Sequence, residues 1–265
     1  MDRFELDWER VADEAAAFIR ERMAAARRDA AVIGLSGGID SALSAFLTVR
    51  ALGADRLTAF MLPCRTSSER SLVDARLVAD ALEVRCEIIE ITPMVDAYFE
   101  LYPDASRMRR ANMMARQRMA VLYDQSERLE SLVVGTGNLT EALLGYTTLW
   151  GDMACAFDPI GDLYKTQVRR LAAHLGVPEP VRIRPPTADL WEGQTDEGEL
   201  GFTYDEADRI LARLTDDRKT VEEIAAEGFD EEIVARVQAM MHASAFKRQM
   251  PPAPGLRDLL PGRRR

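Results

Sequence analysis

One hexapeptide, Ser36-Gly37-Gly38-Ile39-Asp40-Ser41, carries the residue types that hold phosphate groups. A strand-like apolar run ends just before it at Gly34-Leu35, and a helical pattern starts at its end. Two glycines let the backbone approach an oxyanion closely, the amides at a helix start point at it, and two serines add hydroxyl donors. Residues 34–41 are therefore predicted to bind the phosphates of a nucleotide. The alternative is a left-handed turn whose serine caps the helix.

Asp40 is an acid inside this predicted anion site. A carboxylate repels a bare phosphate, but it is useful where a divalent cation joins it to phosphate oxygens, so its presence implies Mg²⁺. The loop lacks the lysine of GxxxxGK[ST] and the spacing of GxGxxG, which excludes those two nucleotide motifs. The sequence thus predicts a magnesium-dependent nucleotide site of another kind.

A second polar segment follows the fourth predicted strand and runs from Gly135-Thr136-Gly137-Asn138 through Glu141 to Asp152. Loops at the carboxyl edge of a parallel sheet are where ligands bind. Thr136 is predicted to bond the nucleotide, Glu141 to be a second oxygen ligand of the cation, and Asp152 to be a carboxylate near the acceptor. The alternative is a glycine-rich entry to a helix with capping side chains.

The scarcity of lysine singles out two more positions. Only three of the 34 lysines and arginines are lysine, namely Lys165, Lys219 and Lys247. In a chain that uses arginine so heavily, a retained lysine indicates that a compact point charge is needed. Lys165 and Lys247 are therefore candidate ligand contacts, whereas Lys219 has acidic neighbours and fits a solvated surface.

The elements that must position these residues alternate between strand-length apolar runs and helical patterns. A first amphipathic helix is predicted from Trp8 to about residue 28. The predicted strands are 31–35, 57–62, 84–91 and 131–135, and the predicted helices between them are 40–52, 69–82 and 107–125. Such alternation indicates an α/β fold with a parallel sheet.

Beyond Asp158 the pattern becomes helical. Helices are predicted at about 164–175, 204–214, 220–227 and 230–244, with a proline-rich connection and a polar loop over 187–201 between the first two. We expect a single domain over 1–265, in which 1–186 form the nucleotide-binding α/β core. Residues 187–265 are expected to form a closing loop and a helical extension, with the acidic, glycine-containing loop excluding water.

Composition excludes several functional classes. The 265 residues are 47% hydrophobic and 29% charged, and no apolar run approaches the roughly 18 residues that cross a bilayer. The charged start without an apolar stretch predicts no secretory signal and a cytoplasmic protein. Three cysteines without a CxxC pair and two histidines argue against a zinc site or a Ser-His-Asp triad. Residues 187–235 hold 16 acidic and four basic side chains, so no nucleic-acid partner is expected.

The hexapeptide resembles the SGGxDS pyrophosphate loop of the N-type ATP pyrophosphatases. Together with motifs along nearly the whole chain, it resembles the NAD synthetase family within that superfamily. The motifs are Asn112 with Ala115-Arg116-Gln117-Arg118-Met119, Gly135-Thr136-Gly137-Asn138 with Glu141, Lys165-Thr166-Gln167-Val168, residues 186–197 and Lys247-Arg248.

The resemblance implies a doubly wound parallel sheet of the adenine nucleotide alpha hydrolase-like type with a carboxy-terminal helical extension. It implies ATP- and Mg²⁺-dependent amidation of deamido-NAD by ammonia, which gives NAD⁺, AMP and pyrophosphate through a substrate adenylate. Homodimers are typical of the family. We expect dimer contacts from the amino-terminal helix and from the helix after Arg107, because both carry apolar stripes, although these stripes could instead cover the sheet.

The resemblance also assigns roles to single residues. ATP-binding residues would be 34–41 with Thr136, Lys165 and Thr187, and the metal ligands would be Asp40 and Glu141. Lys165 would contact the ATP phosphates. Deamido-NAD would be bound by Arg116, Asp152 and Lys247. The residues predicted to act in catalysis are Asp40, Lys165 and Asp152, the last orienting or deprotonating the incoming ammonium.

Three positions depart from the best-known bacterial ammonia-dependent enzymes, which carry lysine, aspartate and histidine where this chain has Leu149, Ala156 and Phe246. Those contacts cannot be transferred, and a synthetase fed ammonia by a separate glutaminase is a second hypothesis. The phosphate loop is also compatible with a different adenylating amidotransferase or with a non-catalytic adenine-nucleotide sensor. It is compatible with a tRNA ligase too, but the overall acidity disfavours the basic surface that such an enzyme needs.

Overall fold

The computed structural model describes residues 3–189, 191 and 193–254. Over these residues the chain forms twelve α-helices and four β-strands, which mostly alternate at first and are followed by helices alone. In chain order they are α1 (Trp8–Ala26), β1 (Ala30–Gly34), α2 (Ile39–Leu52), β2 (Leu57–Met61), α3 (Glu69–Ala81), β3 (Arg85–Ile88), α4 (Thr92–Phe99), α5 (Arg107–Arg128), β4 (Ser131–Val133), α6 (Leu139–Leu144), α7 (Lys165–His174), α8 (Glu179–Arg182), α9 (Asp196–Leu200), α10 (Tyr204–Thr215), α11 (Val221–Ala226) and α12 (Glu231–Ala243).

The four described strands form one parallel sheet in the order β3-β2-β1-β4. Ile33 of β1 lies beside Ala59 of β2, and Val32 lies beside Val133 of β4. The chain therefore builds outward from β1 in one direction through β2 and β3 and then returns to the other side of β1. Ligands bind in such sheets at the carboxyl ends of the two strands between which the strand order reverses. Here those strands are β1 and β4.

Helices cover both faces of the sheet, because β1 carries apolar side chains on both of its faces. Ala31 and Ile33 point to one face, in a buried cluster with residues of α1, α2, α3 and α7. Val32 between them points to the other face and packs with residues of α4 and α5. Successive side chains of a strand face opposite ways, so a buried run of this kind is typical of a parallel sheet covered twice. The predicted doubly wound α/β fold is confirmed.

Two predicted strands end two or more residues before their apolar runs do. The run 84–91 is a strand only from Arg85 to Ile88, and α4, which the sequence analysis missed, begins at Thr92. Proline at position 93 suits the first turn of a helix, where its missing N–H costs nothing. The run 131–135 is a strand only to Val133, and Val134 continues as an isolated bridge to Phe157.

The helices after the sheet form a hydrophobic cluster of their own. Tyr204, Ile210 and Val237 are fully buried within it. Residues from elsewhere in the chain complete this cluster, namely Phe4 near the amino terminus and Tyr164 before α7. The division of the chain at residue 186 stays a prediction; α10 and α12 both contact α6, and α10 also contacts α7. Within the described part of the chain, no helix has the length and apolar character needed to cross a membrane.

Candidate active site

A cavity of about 600 Å³ opens at the carboxyl edge of the sheet, between the ends of β1 and β4. Most of the predicted site residues line it. They are Gly34, Leu35, Ser36, Gly38, Ile39, Asp40, Ser41, Thr136, Glu141, Asp152, Lys165, Thr187 and Lys247. A sheet edge thus brings together residues that lie more than 200 positions apart in the chain. Gly37 and Arg116 are the two predicted residues that do not line this cavity.

The predicted phosphate loop is held by its own serines. Ser41 Oγ donates to the Gly38 carbonyl at 3.0 Å, and the Gly38 N–H donates to Ser36 Oγ at 3.2 Å. Gly37 adopts φ +80°, and a Cβ there would lie 2.4 Å from the Ser71 carbonyl oxygen. Only glycine meets both conditions. Gly38 precedes α2 and has no side chain to cap it, which leaves the first amides of α2 available to an anion.

Lys165 lies between the two predicted metal ligands. Its Nζ is 2.6 Å from Asp40 Oδ2 and 2.9 Å from Glu141 Oε1, and its side chain is 2% exposed. Burial lowers the pKa of Lys165, but the two carboxylates outweigh burial and raise this pKa above its ordinary value. The side chain is therefore a cation at neutral pH. Sequence reasoning placed Lys165 on phosphate and did not foresee that it would occupy the cation position itself.

The same two carboxylates suit Mg²⁺. Their oxygens converge on one point, which in this structure a cationic group holds. Mg²⁺ in nucleotide sites is usually bound through one or two carboxylates, with substrate phosphates and water as its other ligands. Among the described residues, no group of three or more histidine, cysteine, aspartate or glutamate side chains is arranged to hold a metal ion by itself. The donor set therefore fits an ion that arrives with phosphate oxygens.

The comparisons with known proteins agree with this geometry. The family model for NAD synthase matches residues 11–251. The chain belongs to the NAD synthase family. It is 55% identical to an NH₃-dependent NAD⁺ synthetase of Trichlorobacter lovleyi over 83% of this chain and 81% of that protein. The predicted enzyme class, a ligase, is confirmed.

Two solved structures of related proteins share the fold over nearly the whole chain. An NMN synthetase from Francisella tularensis is 30% identical with a TM-score of 0.85, and the match covers 95% of this chain and all of that one. An NH₃-dependent NAD synthetase from Campylobacter jejuni is 34% identical with a TM-score of 0.80, over 94% and 99% of the two chains. The NAD synthase fold thus spans the sheet and the helices that follow it.

Arg116, predicted to bind the substrate of an NAD synthase, is exposed and donates from Nε to the Leu149 carbonyl at 3.2 Å. Arg118 lines the cavity instead and donates to the Leu62 carbonyl at 3.0 Å. Two residues along a helix rotate the direction of a side chain by about 200°, so these arginines face nearly opposite ways. The substrate role of Arg116 stays a prediction, and Arg118 is a cavity residue that sequence reasoning did not single out.

Lys247 and Arg248 both donate to backbone carbonyls near the end of α6. Lys247 Nζ lies 2.9 Å from the Gly145 carbonyl and 2.7 Å from that of Thr147. Arg248 donates to the carbonyls of Ala142 and Leu143. Cations at the end of a helix satisfy carbonyls that have no partner within it. The pair therefore holds the turn that follows α12 against α6, the helix that carries Glu141.

Asp152 lies at the mouth of the cavity and is exposed. It accepts the N–H of Thr148 at 2.8 Å, and the Thr148 hydroxyl bonds Asn112 Oδ1 at 2.9 Å. The predicted substrate-side carboxylate is thus connected to a motif residue of α5. Leu149, Ala156 and Phe246, where the chain departs from better-known relatives, do not line the cavity.

An acidic pair from the predicted loop 187–201 also faces the cavity. The segment contains α9, and this helix presents Asp196 and Glu199. Tyr204 donates to Asp196 Oδ2 at 3.0 Å, and Tyr146 donates to Glu199 Oε2 at 2.6 Å. Burial raises the pKa of Asp196 above its ordinary value. Sequence reasoning missed this pair because it treated the whole segment as a loop, although an acid after Thr195 was a signal for a helix start.

The beginning of the segment 187–201 is hydrogen-bonded to the start of α3. Asp189 Oδ2 accepts from the Ser68 N–H at 2.9 Å and from the Ser71 hydroxyl at 2.7 Å. Arg184 donates to the same Ser71 hydroxyl at 2.8 Å. These bonds place Thr187 against the cavity, where it was predicted to contact the nucleotide. Leu190 and Glu192 of the same motif lie outside the described residues.

Proposed function

We propose that this chain catalyses the ATP- and Mg²⁺-dependent amidation of deamido-NAD by ammonia to NAD⁺, with AMP and pyrophosphate as the other products. The observation that supports it most directly is the contact of Lys165 with Asp40 and Glu141 beside the phosphate loop, at the sheet edge where the strand order reverses. The proposed nitrogen donor, ammonia, and the proposed product, NAD⁺, are those of the NH₃-dependent NAD⁺ synthetases among its relatives.

The chemistry must make a carboxylate reactive toward ammonia. A carboxylate is inert to an amine because its leaving group would be oxide. Transfer of AMP to it forms a mixed anhydride, breaks the bond between the α-phosphorus of ATP and the oxygen that bridges it to the β-phosphorus, and releases pyrophosphate. Ammonia then attacks the carbonyl, and AMP departs. No covalent bond to a side chain is needed, so the work of the protein is to orient the reactants and stabilise charge.

The residues of the cavity divide these tasks. Asp40 and Glu141 would hold Mg²⁺, which supplies charge neutralisation on the departing pyrophosphate when bound. The amides after Gly38 would bind phosphate oxygens. Lys165 would move from the carboxylates to a phosphate once that cation is in place, because the two cations cannot share one position. Asp152 would accept a proton from ammonium at the acceptor side.

Two acids of different size, a dinucleotide and a mononucleotide, could undergo the same chemistry. The similarity to an NMN synthetase raises a mononucleotide acid as a second candidate, since its nicotinate carboxylate would be amidated in the same way. The higher identity to NAD⁺ synthetases favours the dinucleotide. Turnover of both acids under equal conditions decides between them, and a preference for the mononucleotide would replace deamido-NAD in the proposal.

The test of the reaction is its stoichiometry. Pure protein with ATP, Mg²⁺, ammonium and deamido-NAD should give NAD⁺, AMP and pyrophosphate in equal amounts. Asp40→Asn is the comparison variant, because it removes one of the two charges beside Lys165 from the first turn of α2 with little change of volume. Urea unfolding checks that it folds, and the folded variant should make none of the three products. Release of ADP, or unchanged turnover by the variant at saturating Mg²⁺, would contradict the proposal.

A further inference from the structure

Asn138 connects the two residues proposed to bind the metal, through the carboxylate of Asp40 and the backbone N–H of Glu141. Its Nδ2 donates to Asp40 Oδ1 at 2.8 Å, and its Oδ1 accepts the N–H of Glu141 at 3.0 Å. The residue is fully buried. Both ends of the amide are therefore used, each by a residue proposed to bind Mg²⁺.

These two bonds constrain the two carboxylates in different ways. Asp40 has two oxygens, and the bond from Asn138 occupies Oδ1, so that Oδ2 is the oxygen directed at the cation position that Lys165 Nζ now holds. On the other side, Asn138 is the N-cap of α6, and the amide that it caps belongs to Glu141 itself. The start of α6, and with it the origin of the Glu141 side chain, is fixed by the same group.

We propose that Asn138 is a positioning residue for the divalent cation, acting through the rotation of the Asp40 carboxylate. The inference rests on the proposed Mg²⁺-dependent function. A carboxamide suits this task because it offers a donor and an acceptor about 2 Å apart without charge. A carboxylate at this position would cap α6 equally well but would present an oxygen to Asp40 Oδ1, where like charges repel.

The bland interpretation is that Asn138 merely caps a helix, and two substitutions separate the two roles. Asn138→Ser keeps an oxygen acceptor for the Glu141 N–H, since serine is a favoured N-cap, but has no amide to reach Asp40. Asn138→Ala loses both bonds. If the donation to Asp40 matters, serine and alanine should weaken cation binding alike while differing in stability. If only the cap matters, serine should bind the cation like the wild type.

The experiment measures Mn²⁺ binding by electron paramagnetic resonance, with an ATP analogue whose α,β-bridge is methylene so that no reaction occurs. We expect the dissociation constant for Mn²⁺ to rise at least tenfold in both Asn138 variants. In the activity assay, the Mn²⁺ concentration for half-maximal rate should rise similarly, with a smaller change in kcat at saturation. Urea unfolding reports the cap, and Thr203→Ala, which removes the cap of α10, is the control for destabilisation alone.

The outcomes are distinct. Mn²⁺ affinity within twofold of the wild type in Asn138→Ser overturns the positioning role, whether or not Asn138→Ala folds. An equal loss of affinity in Thr203→Ala would overturn it as well, because the effect would then follow stability. If the wild type itself binds no Mn²⁺ with the analogue, the metal site of the proposed function is wrong, and Asn138 has no cation to position.

Discussion

A buried lysine in contact with two acids is the feature of this site on which most of the proposed chemistry rests. Lys165 Nζ contacts Asp40 and Glu141 in a space that leaves 2% of the side chain exposed. Removal of either partner would leave buried charge without compensation, which is strongly destabilising. The three side chains therefore depend on one another. The spacing of the two carboxylates also determines which cation fits between them.

Lys165→Ala should lower turnover at least a hundredfold, about 2.7 kcal/mol on the scale where each 1.36 kcal/mol is tenfold. Lys165→Arg is the sharper variant. A planar guanidinium is wider than an ammonium and cannot approach both carboxylates at 2.6 and 2.9 Å in the same volume, so little activity should return. Steady-state rates of the three proteins test this, and substantial rescue by arginine would mean that a compact charge is not required.

Asp158 should make stability depend on pH. Burial raises the pKa of Asp158 from 3.8 to about 7 in the folded protein, against two backbone N–H bonds that lower it. The folded state thus binds this proton more tightly than the unfolded chain, so the stabilisation is fully present below pH 3.8 and is lost as the pH rises through about 7.

Asp158→Asn cannot titrate and is the reference for this effect. The free energy of unfolding of the wild type relative to Asp158→Asn should fall between about pH 4 and 8, by a few kcal/mol at most. Asparagine satisfies one of the two N–H groups and not both, which adds an offset that does not vary with pH. Urea unfolding at several pH values measures the slope, and a constant difference across this range would contradict the prediction.

At the scale of the elements, a carboxylate of α10 accepts hydrogen bonds from the first turn of α7. Asp208 is fully buried; its Oδ1 accepts the Thr140 hydroxyl at 2.5 Å and its Oδ2 the Thr166 N–H at 2.7 Å. The Thr140 hydroxyl in turn accepts the N–H of Lys165 at 2.9 Å. The helices after the sheet therefore help to place Lys165.

Asp208→Ala should destabilise the protein by about 2 to 4 kcal/mol, because it leaves buried donors of Thr140 and Thr166 without a partner. It should also lower turnover through displacement of Lys165. Asp205→Ala, an exposed position on the same helix, is the matched control and should change both quantities little. Equal stability of the two variants in urea would show that the Asp208 contacts carry no net stabilisation.

Sequence patterns predicted what depends on near neighbours and missed what depends on distant ones. The step from β1 through the glycine loop to α2 was predictable, because strand, turn and helix signals follow one another directly along the chain. The contact between Asp40 and Lys165 joins residues 125 positions apart, and no local pattern encodes it. Likewise, periodicity showed that 107–125 is helical but could not show which of Arg116 and Arg118 faces the cavity.

At the scale of the molecule, the dimer contact expected from the first helix and from the helix after Arg107 stays a prediction. The stripe of α1 packs against one face of the sheet, and Met114 of α5 is buried on the other face. Several exposed apolar groups lie on α4 and in the turn after it, where Leu101 is 71% and Tyr102 44% exposed, and Met108 at the start of α5 is 57% exposed. Patches of this kind mark interfaces more often than single exposed residues do.

We therefore predict a homodimer whose contact includes this turn. Light scattering should give twice the mass of the chain at micromolar concentration, and Leu101→Glu should shift the protein toward monomer. Ile183→Glu, equally exposed at 71% but away from α4, should leave the mass unchanged. A stable monomer for the wild type would exclude the dimer, and equal effects of both variants would place the contact elsewhere.

The nitrogen donor should be ammonia itself. Use of glutamine needs an activated nucleophile, usually a cysteine thiolate, but burial raises the pKa of Cys155 to about 12 and also raises that of Cys86. Glutamine as sole donor should yield no NAD⁺ beyond that from contaminating ammonium, and activity should rise with pH as ammonium gives ammonia. Robust turnover with glutamine would refute this. Turnover only after addition of a second protein would indicate a separate glutaminase.

Phe4 has a consequence for how the chain reaches this structure. Its ring meets the ring of Tyr164 edge-on with the centroids 5.6 Å apart, in the hydrophobic cluster that also contains Val237. The neighbouring Arg3 donates to Asp217 at 2.8 Å. At about 5 to 20 residues per second, the ribosome needs on the order of 10 to 50 seconds to add the residues between Phe4 and Val237. During synthesis an aromatic side chain near the start of the nascent chain must therefore stay uncovered, and the second hydrophobic cluster can close only after all four described strands of the sheet have been made.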